Sequence, residues 1–160
     1  MTPEELVAGF LAAWSQHDAD AFGPLCAPEV SYEDSTTPEP IEGAIAIVEH
    51  AERLWRAMPD ARLEATGPTL TDGTYTAAPC KLLGSHRGPL DELPASGRFV
   101  IIHGVLMAQV EDGRLARIRV FFDRYDAAQQ LGILPAPGTL GEKALLMLRG
   151  FGLRVRGELP

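Results

Sequence analysis

A pair of turn-forming residues, Asp112–Gly113, lies between two long runs of residues with alternating bulk. An Asp-Gly pair favours a two-residue turn whose backbone twist joins antiparallel strands. The flanking runs, 97–111 and 114–124, have the period of two that is typical of half-buried strands. The sequence therefore predicts a long β-hairpin, and further strands at 61–70 and 74–83 extend it into an antiparallel sheet.

The N-terminal part of the chain has helical rather than strand-like spacing. Thr2 and Glu5 have the pattern of a capping box, and apolar residues then recur every three or four positions. A second, short helix is predicted over 18–26 and a third over 43–57, and an extra helix is predicted over 139–151. Helices followed by an antiparallel sheet predict an α+β fold.

Composition excludes several classes of function. The chain has 160 residues, 46% of them apolar, which suits one domain with a real core, and its net charge of −8 argues against nucleic acid or anionic membrane as a partner. No basic leader and no long apolar run is visible, which predicts a cytoplasmic protein. The unlike contexts of Cys26 and Cys80 favour two free, partly buried thiols over a disulfide between them. No motif for a metal or a cofactor is found.

Three segments of the chain share the pattern of one known family. Residues 112–135 contain a strand that ends in an aromatic–Asp pair and is followed by a Gln-Leu-Gly helix. Residues 84–98 contain G-x-H-x-G and then P-x-x-G-R, and residues 20–60 end in Met-Pro-Asp. Together these motifs, over about residues 4–135, resemble the SnoaL-like polyketide cyclases, a branch of the nuclear transport factor 2-like superfamily.

The resemblance implies a particular architecture. Three N-terminal helices would cover a cone-shaped, strongly curved antiparallel sheet and leave a conical apolar pocket. The family domain would occupy residues 1–137, and residues 138–160 would form a helical extension packed on the domain or on a second copy. The exposed face of the sheet would pair to form a homodimer.

Asp123 is the first candidate catalytic residue. A carboxyl beside the aromatic surface of Phe121 and Phe122 tends to lose solvation, which makes it usable for proton transfer, and the resemblance places it inside the pocket. Strict alternation, however, separates Asp123 from the cleaner apolar row of Ile118, Val120 and Phe122. A bulge could reverse this, and the simpler alternative is an Asp that caps the following helix.

Asp34 and His103 are the other two candidates for catalysis. Asp34 shares a strand face with Val30 and Tyr32, and its surroundings resemble those of the catalytic base of ketosteroid isomerases; the alternative is an Asp that orders a turn. His103 lies in an otherwise apolar row that would line the pocket, where it could donate a proton or orient a substrate. The alternative for His103 is a hydrogen-bonded core residue.

Related enzymes fit the sequence less well. The oxyanion tyrosine of ketosteroid isomerases falls on Phe10, which has no hydroxyl, and no acid occurs near His103 to serve as its partner. An epoxide hydrolase would need an Asp-Arg-Asp constellation, for which Arg119 and Asp123 lack a second acid.

Mostly aromatic and soft side chains are expected to bind the substrate, because such groups supply stacking area with few hydrogen bonds. They are Phe10, Trp14, Tyr32, Trp55, Met58, His86, Phe99, Met107 and Phe121. His86 would close over the pocket mouth or be solvated, and His17 and His50 look like surface residues.

The sequence supports two hypotheses of different classes. The first is an enzyme that performs cofactor-free acid/base catalysis on a hydrophobic, polyketide-like carbonyl compound, by aldol-type cyclisation or isomerisation. The second is a non-catalytic module of the same fold that binds a hydrophobic small molecule or dimerises.

Overall fold

The computed structural model describes residues 1–149, within which helices and strands alternate as an α+β domain. The elements in chain order are α1 (Pro3–Gln16), α2 (Phe22–Leu25), β1 (Cys26–Asp34), β2 (Ile41–Glu42), α3 (Ala44–Ala57), β3 (Arg62–Ala65), β4 (Leu70–Thr71), β5 (Tyr75–Ser85), β6 (Phe99–Glu111), β7 (Arg114–Phe122), α4 (Arg124–Gln130) and α5 (Leu140–Leu148). A single 3₁₀ turn, Ala19–Ala21, precedes α2.

The predicted helix cap and the predicted hairpin turn are both present. At the start of α1 the Thr2 hydroxyl accepts from the Glu5 amide at 3.2 Å, and the Glu5 carboxylate accepts from the Thr2 amide at 2.7 Å. The turn between β6 and β7 has positive φ at both Asp112 (50°) and Gly113 (71°), as a primed hairpin turn requires.

The sheet is curled, unclosed and mostly antiparallel, in the order β2-β1-β7-β6-β5-β3, with β4 beside β5. Two details differ from expectation. Strand β1 pairs with β7 in parallel, and the predicted strand at 61–70 is divided into β3 and β4. The short β2 pairs with β1 at the edge of the sheet. No short turn joins β1 to β7, so nothing local determines the direction of their pairing.

One face of the sheet, here the inner face, packs against α1, α2 and α3. Alternate residues of β5 and β6, such as Ala78, Leu82, Val100 and Leu106, are buried there. The pairing of β6 with β7 shifts register between Gln109 and Val110 of β6. This shift changes the alternation along β7, so that Leu115 and Ile118 are both buried. This core leaves one end of the inner face open, between α3 and α4.

Helix α5 lies beyond the three-helix and sheet core. Its apolar side chains are largely exposed, with Leu140 at 84% and Leu148 at 86%. The rest of the predicted extension, including the end of its helix, lies outside the described residues. Across residues 1–149, every helix is too short or too polar to cross a lipid bilayer.

Candidate active site

A cavity of about 630 Å³ occupies the open end of the inner face. Its walls come from α3, α4, β5, β6, the ends of β1 and β7, and the two loops that follow β1 and β5. The apolar lining residues are Leu54, Met58, Leu82, Leu90, Leu93, Val100, Ile102, Phe122, Leu131 and Ile133. Polar groups are few and include Asp34, Thr36, His86, Asp91 and Arg124, which is the composition expected for a site that binds a small hydrophobic molecule.

Asp34 ends β1 on the inner face, where strand alternation from Tyr32 predicts it. Its carboxylate accepts four hydrogen bonds. Oδ2 accepts from Tyr32 Oη and His50 Nε2, each at 2.7 Å. Oδ1 accepts from the amide and the hydroxyl of Thr36, at 2.7 and 2.8 Å. The carboxylate is therefore fully engaged, and only 2% of the side chain is exposed.

Two opposed effects act on the pKa of Asp34. Burial is the largest single effect and raises the pKa, because it disfavours the charged form. The hydrogen bond and charge of His50, with the bonds from Tyr32 and Thr36, together outweigh burial and lower the pKa from 3.8 to about 2. The same carboxylate, together with burial as the larger cause, raises the pKa of the Tyr32 hydroxyl well above 10.

His50 projects from α3 and is oriented by Arg53 one turn further along the helix. Arg53 Nη2 lies 3.4 Å from His50 Nδ1 and 3.2 Å from Thr36 Oγ1. In both the neutral and the charged ring, Nε2 carries the proton directed at Asp34; because a guanidinium can only donate, Nδ1 accepts from Arg53 only when the ring is neutral. A continuous hydrogen-bonded chain thus runs from Arg53 through His50 to Asp34 and Tyr32.

Arg53 also connects the two loops that form the rim of the cavity. Its Nη1 donates to both carboxylate oxygens of Asp91 at 2.6 Å. Asp91 belongs to the loop after β5, and Thr36 belongs to the loop after β1. One side chain of α3 therefore holds both rim loops.

His86 lines the cavity from the loop that follows β5. The residue is 2% exposed, and Ser96 approaches its Nδ1 with both its amide and its hydroxyl, each at 3.1 Å. Its Nε2 is buried and has no hydrogen-bond partner within residues 1–149. The sequence left two alternatives for His86, a position over the mouth of the pocket or a solvated one. The structure buries the side chain away from solvent.

Asp123 does not lie among the cavity residues. It follows β7 as an exposed N-cap of α4, and its carboxylate accepts from the Asp126 amide at 2.9 Å. The apolar row of Ile118 and Val120 packs into the core instead, and Phe122 lines the cavity. The expected inward position of Asp123 is therefore wrong, because no bulge changes the alternation between Ile118 and the end of β7.

Four further candidates lie on the opposite side of the sheet, here the outer face. His103, Phe99, Met107 and Phe121 are all exposed. The expected inward position of these residues is wrong because both rows of β6 are apolar, so composition cannot identify the inner one. The structure turns Val100 and Ile102 to the cavity.

The remaining candidates divide between the core and the cavity. Phe10, Trp14, Tyr32 and Trp55 are buried in the core beneath the cavity rather than lining it. Met58 does line the cavity. Phe10 and Trp14 pack edge-on against Phe22, with ring centroids 5.3 and 6.3 Å apart.

Sequence reasoning missed His50 and Arg53. His50 is 8% exposed, so its assignment to the surface is wrong. A signal for it exists in helical spacing, because Ile47, His50 and Leu54 stand three and four residues apart on one face of α3. No comparable signal marks Arg53, whose partners come from two distant loops.

The sequence matches a family model described as SnoaL-like polyketide cyclase over residues 4–131. No curated protein sequence matches the chain.

Solved structures with a similar fold include TsrD from Streptomyces laurentii, at 25% identity and a TM-score of 0.72, covering 81% of this chain and 94% of that one. IdmH from Streptomyces antibioticus, a proposed polyketide cyclase, has 20% identity and a TM-score of 0.71, with 82% and 99% covered. An epoxide hydrolase from M. tuberculosis has 19% identity and a TM-score of 0.64, with 91% and 95% covered.

Proposed function

The chain belongs to the SnoaL-like polyketide cyclase family, of nuclear transport factor 2-like fold, and on this premise we propose that it is a cofactor-free acid/base enzyme. Its substrate is a hydrophobic, polyketide-like carbonyl compound that undergoes aldol-type ring closure or isomerisation. The observation that carries the proposal is the Asp34 carboxylate, held in a fixed orientation at the wall of a mainly apolar cavity.

Asp34 is the group that accepts the substrate proton. A carboxylate with a pKa of about 2 is a weak base, so it suits only a strongly acidified C–H. The C–H between two carbonyls of a polyketide-like chain is such a group, because both carbonyls delocalise the resulting charge. The chemistry of the base thus selects a 1,3-dicarbonyl substrate over a simple ketone.

The reaction conserves all atoms of the substrate. Asp34 takes the proton, the electron pair of the broken C–H bond forms the enolate, and the enolate carbon bonds to a second carbonyl of the same molecule. The proton on Asp34 then passes to the new alkoxide. The Thr36 hydroxyl lies on the exposed rim, so a substrate displaces this donor from Asp34 without disturbing the core.

The apolar walls support this role. A cavity of about 630 Å³ is within the range that encloses a drug-sized molecule. Filling it with substrate expels water, which strengthens the electrostatic effect of each remaining polar group.

A non-catalytic binding module is the second candidate, and one observation favours it. All four bonds to Asp34 come from the protein itself, and they lower the basicity of the carboxylate. A carboxylate so engaged also serves as a purely structural anchor of the rim.

The other enzyme classes lack support from the geometry. An isomerase of the ketosteroid type would need an inward donor near Phe10 and His103, but Phe10 has no hydroxyl and His103 is on the outer face. For an epoxide hydrolase, Arg119 would have to face the cavity, whereas it pairs with Glu33 on the outer face.

Proton exchange at carbon tests the proposal directly. The probe is ethyl benzoylacetate, a hydrophobic β-ketoester, in mildly acidic D₂O, with loss of its α-proton signal followed by NMR. We expect saturable acceleration by the wild type, a loss of at least about tenfold in Asp34→Asn, and little change in Asp123→Asn, a matched carboxylate outside the cavity.

Three results would contradict this. Saturable binding without accelerated exchange overturns catalysis in favour of the binding module. Equal acceleration by Asp34→Asn removes Asp34 from the chemistry. Failure to bind any hydrophobic carbonyl compound overturns both candidates.

A further inference from the structure

We propose that His86 determines the specificity of the cavity by donating a hydrogen bond from Nε2 to a carbonyl oxygen of the ligand. The inference deepens the proposed function and rests on its premise that the ligand is a hydrophobic carbonyl compound. It requires no catalysis, so it applies equally if the cavity only binds.

The position of the proton on His86 follows from Ser96. The Ser96 amide can only donate, and it lies 3.1 Å from His86 Nδ1. The Ser96 hydroxyl is at the same distance from Nδ1. Nδ1 is therefore an acceptor, and the proton of the neutral ring is on Nε2.

This Nε2–H group is a donor without an acceptor. The residue is 2% exposed, and no atom of residues 1–149 accepts from Nε2. A buried donor in this state has lost its bonds to water without replacing them, which is unfavourable. Nε2 has almost no accessible surface, so a ligand brings an acceptor to it only by displacing neighbouring side chains. A carbonyl compound that does so recovers the lost bond, whereas a hydrocarbon does not.

The ring cannot easily turn to find a partner elsewhere. The His86 amide donates to the Arg98 carbonyl, and the Gly97 amide donates to the His86 carbonyl, both at 2.8 Å. The Arg87 amide in turn donates to the Ala57 carbonyl at the end of α3, at 2.9 Å. These backbone bonds hold the loop against α3 and the start of β6, and Ser96 holds the ring.

The other polar groups of the cavity complement this donor. Asp34 and Asp91 are acceptors and repel a carbonyl oxygen, and the Thr36 and Thr37 hydroxyls already donate to Asp34. Ser35 and Arg124 lie at the rim, and Arg124 is exposed to water there. A carbonyl oxygen is thus directed to His86, and an acidic hydrogen of the same molecule is directed to Asp34. The two groups together orient a ligand that the apolar walls alone would bind in many ways.

A binding cycle with matched ligands tests the inference. The probes are 2-acetylnaphthalene and 2-ethylnaphthalene, which have similar shape but differ in the carbonyl, titrated into the wild type, His86→Phe and His86→Gln. We expect the ketone-to-hydrocarbon affinity ratio to fall about tenfold in His86→Phe, because one hydrogen bond is lost. His86→Gln retains an amide donor and restores most of the ratio, and Asp123→Asn leaves it unchanged.

A second measurement does not depend on how the variants fold. In the wild type labelled with ¹⁵N-histidine, the Nε2–H resonance of His86 shifts on addition of the ketone and not on addition of the hydrocarbon. Protonated Nδ1 in the free protein, or equal shifts with both probes, overturns the inference. An affinity ratio that is the same in the wild type and His86→Phe also overturns it.

These outcomes are separate from those of the proposed function. If the protein does not accelerate proton exchange but the ketone-to-hydrocarbon affinity ratio depends on His86, the inference about His86 holds and the proposed catalytic function is wrong. If Asp34-dependent proton exchange is observed but the affinity ratio is the same with and without His86, only the inference about His86 is wrong.

Discussion

His50 Nε2 lies 2.7 Å from Asp34 Oδ2, and the two side chains are 7% and 2% exposed. The pair joins the end of a strand to the middle of a helix, and it stands at the wall of the cavity. A charged group is costly to bury unless it is paired and hydrogen-bonded, and this carboxylate is both. The pair thus connects the stability of the fold to the chemistry of the site.

Asp34 should make folding stability depend on pH in the acidic range. Its pKa is lowered from 3.8 to about 2 in the folded protein, so the unfolded chain binds the proton more tightly. The stabilisation is complete above about pH 4 and is lost as the pH falls toward about 2, a difference of about 2 kcal/mol. Urea unfolding of wild type and Asp34→Asn across this range measures it.

We expect Asp34→Asn to be less stable than wild type by at least about 2 kcal/mol near neutral pH, because buried donors lose their acceptor. The gap should narrow as the wild-type carboxylate becomes protonated. A gap that stays constant from neutral pH down to about pH 2 would contradict the lowered pKa.

Arg53 should control the mobility of the rim rather than global stability. Its pair with Asp91 is 30% and 60% exposed, so the pair contributes less than about 1 kcal/mol. Arg53→Ala is expected to leave the unfolding midpoint nearly unchanged and to speed amide hydrogen exchange in residues 88–93. Mass spectrometry of exchanged peptides measures this.

The matched control for the rim is Arg56→Ala. Arg56 is on the same helix, and its weak pair with Glu52, at 3.9 Å, stays within α3. Equal exchange rates in both variants would mean that Arg53 does not hold the loop.

Gly104 should be intolerant of a side chain. A Cβ added there would overlap the Phe121 carbonyl oxygen and lie 2.7 Å from Phe122 Cδ1. Gly104→Ala is expected to reduce the free energy of unfolding by about 1–3 kcal/mol or more, through the shift it forces between β6 and β7. In Gly23→Ala the added Cβ meets nothing within 4 Å, and near-wild-type stability is expected. Equal stability of both variants would show that the close approach is absent.

The outer face should hold two copies of the chain together. Phe99, Ile101, Val105, Met107 and Phe121 are between 37 and 55% exposed there, which is an unusually apolar surface for a monomer. The same face carries basic residues on β7, and one of them, Arg119, is already paired with Glu33 of β1 within the chain.

Phe121→Glu tests this pairing by placing a charge in the middle of the apolar surface. We expect a monomer by analytical ultracentrifugation with an unchanged circular dichroism spectrum, because Phe121 makes no part of the core. Ile45→Glu, at an exposed position on α3, is the control and should remain a dimer. A wild type that sediments as a monomer would refute the prediction.

Much of the fold could be predicted because its signals are local. The capping box of Thr2 and Glu5 and the primed turn at Asp112–Gly113 involve residues at most three positions apart. The alternation that places Asp34 on the same face as Tyr32 is equally local, because the pleat of a strand determines it. The family motifs added the curled sheet and its cavity, which no single segment specifies.

The inner side of each strand could not be obtained in this way. Both rows of β6 are apolar, so the pattern is symmetric and only the helices decide that Val100 and Ile102 face inward. For Asp123 the residue pattern indicated the outside, and the structure agrees with it rather than with the position that the resemblance implied.

The sequence by itself predicted the helices, the hairpin and the family, since each depends on neighbouring residues or on a motif. It offered an inward Asp34 beside the alternative of an Asp that orders a turn, and the carboxylate does both, since it lines the cavity and accepts from the Thr36 amide. Only the tertiary structure decided which groups surround that carboxylate. His50 is 16 positions away, and Arg53 meets Asp91 across 38. Such contacts depend on how α3 packs across the sheet, and packing is a property of the whole chain that no local pattern encodes.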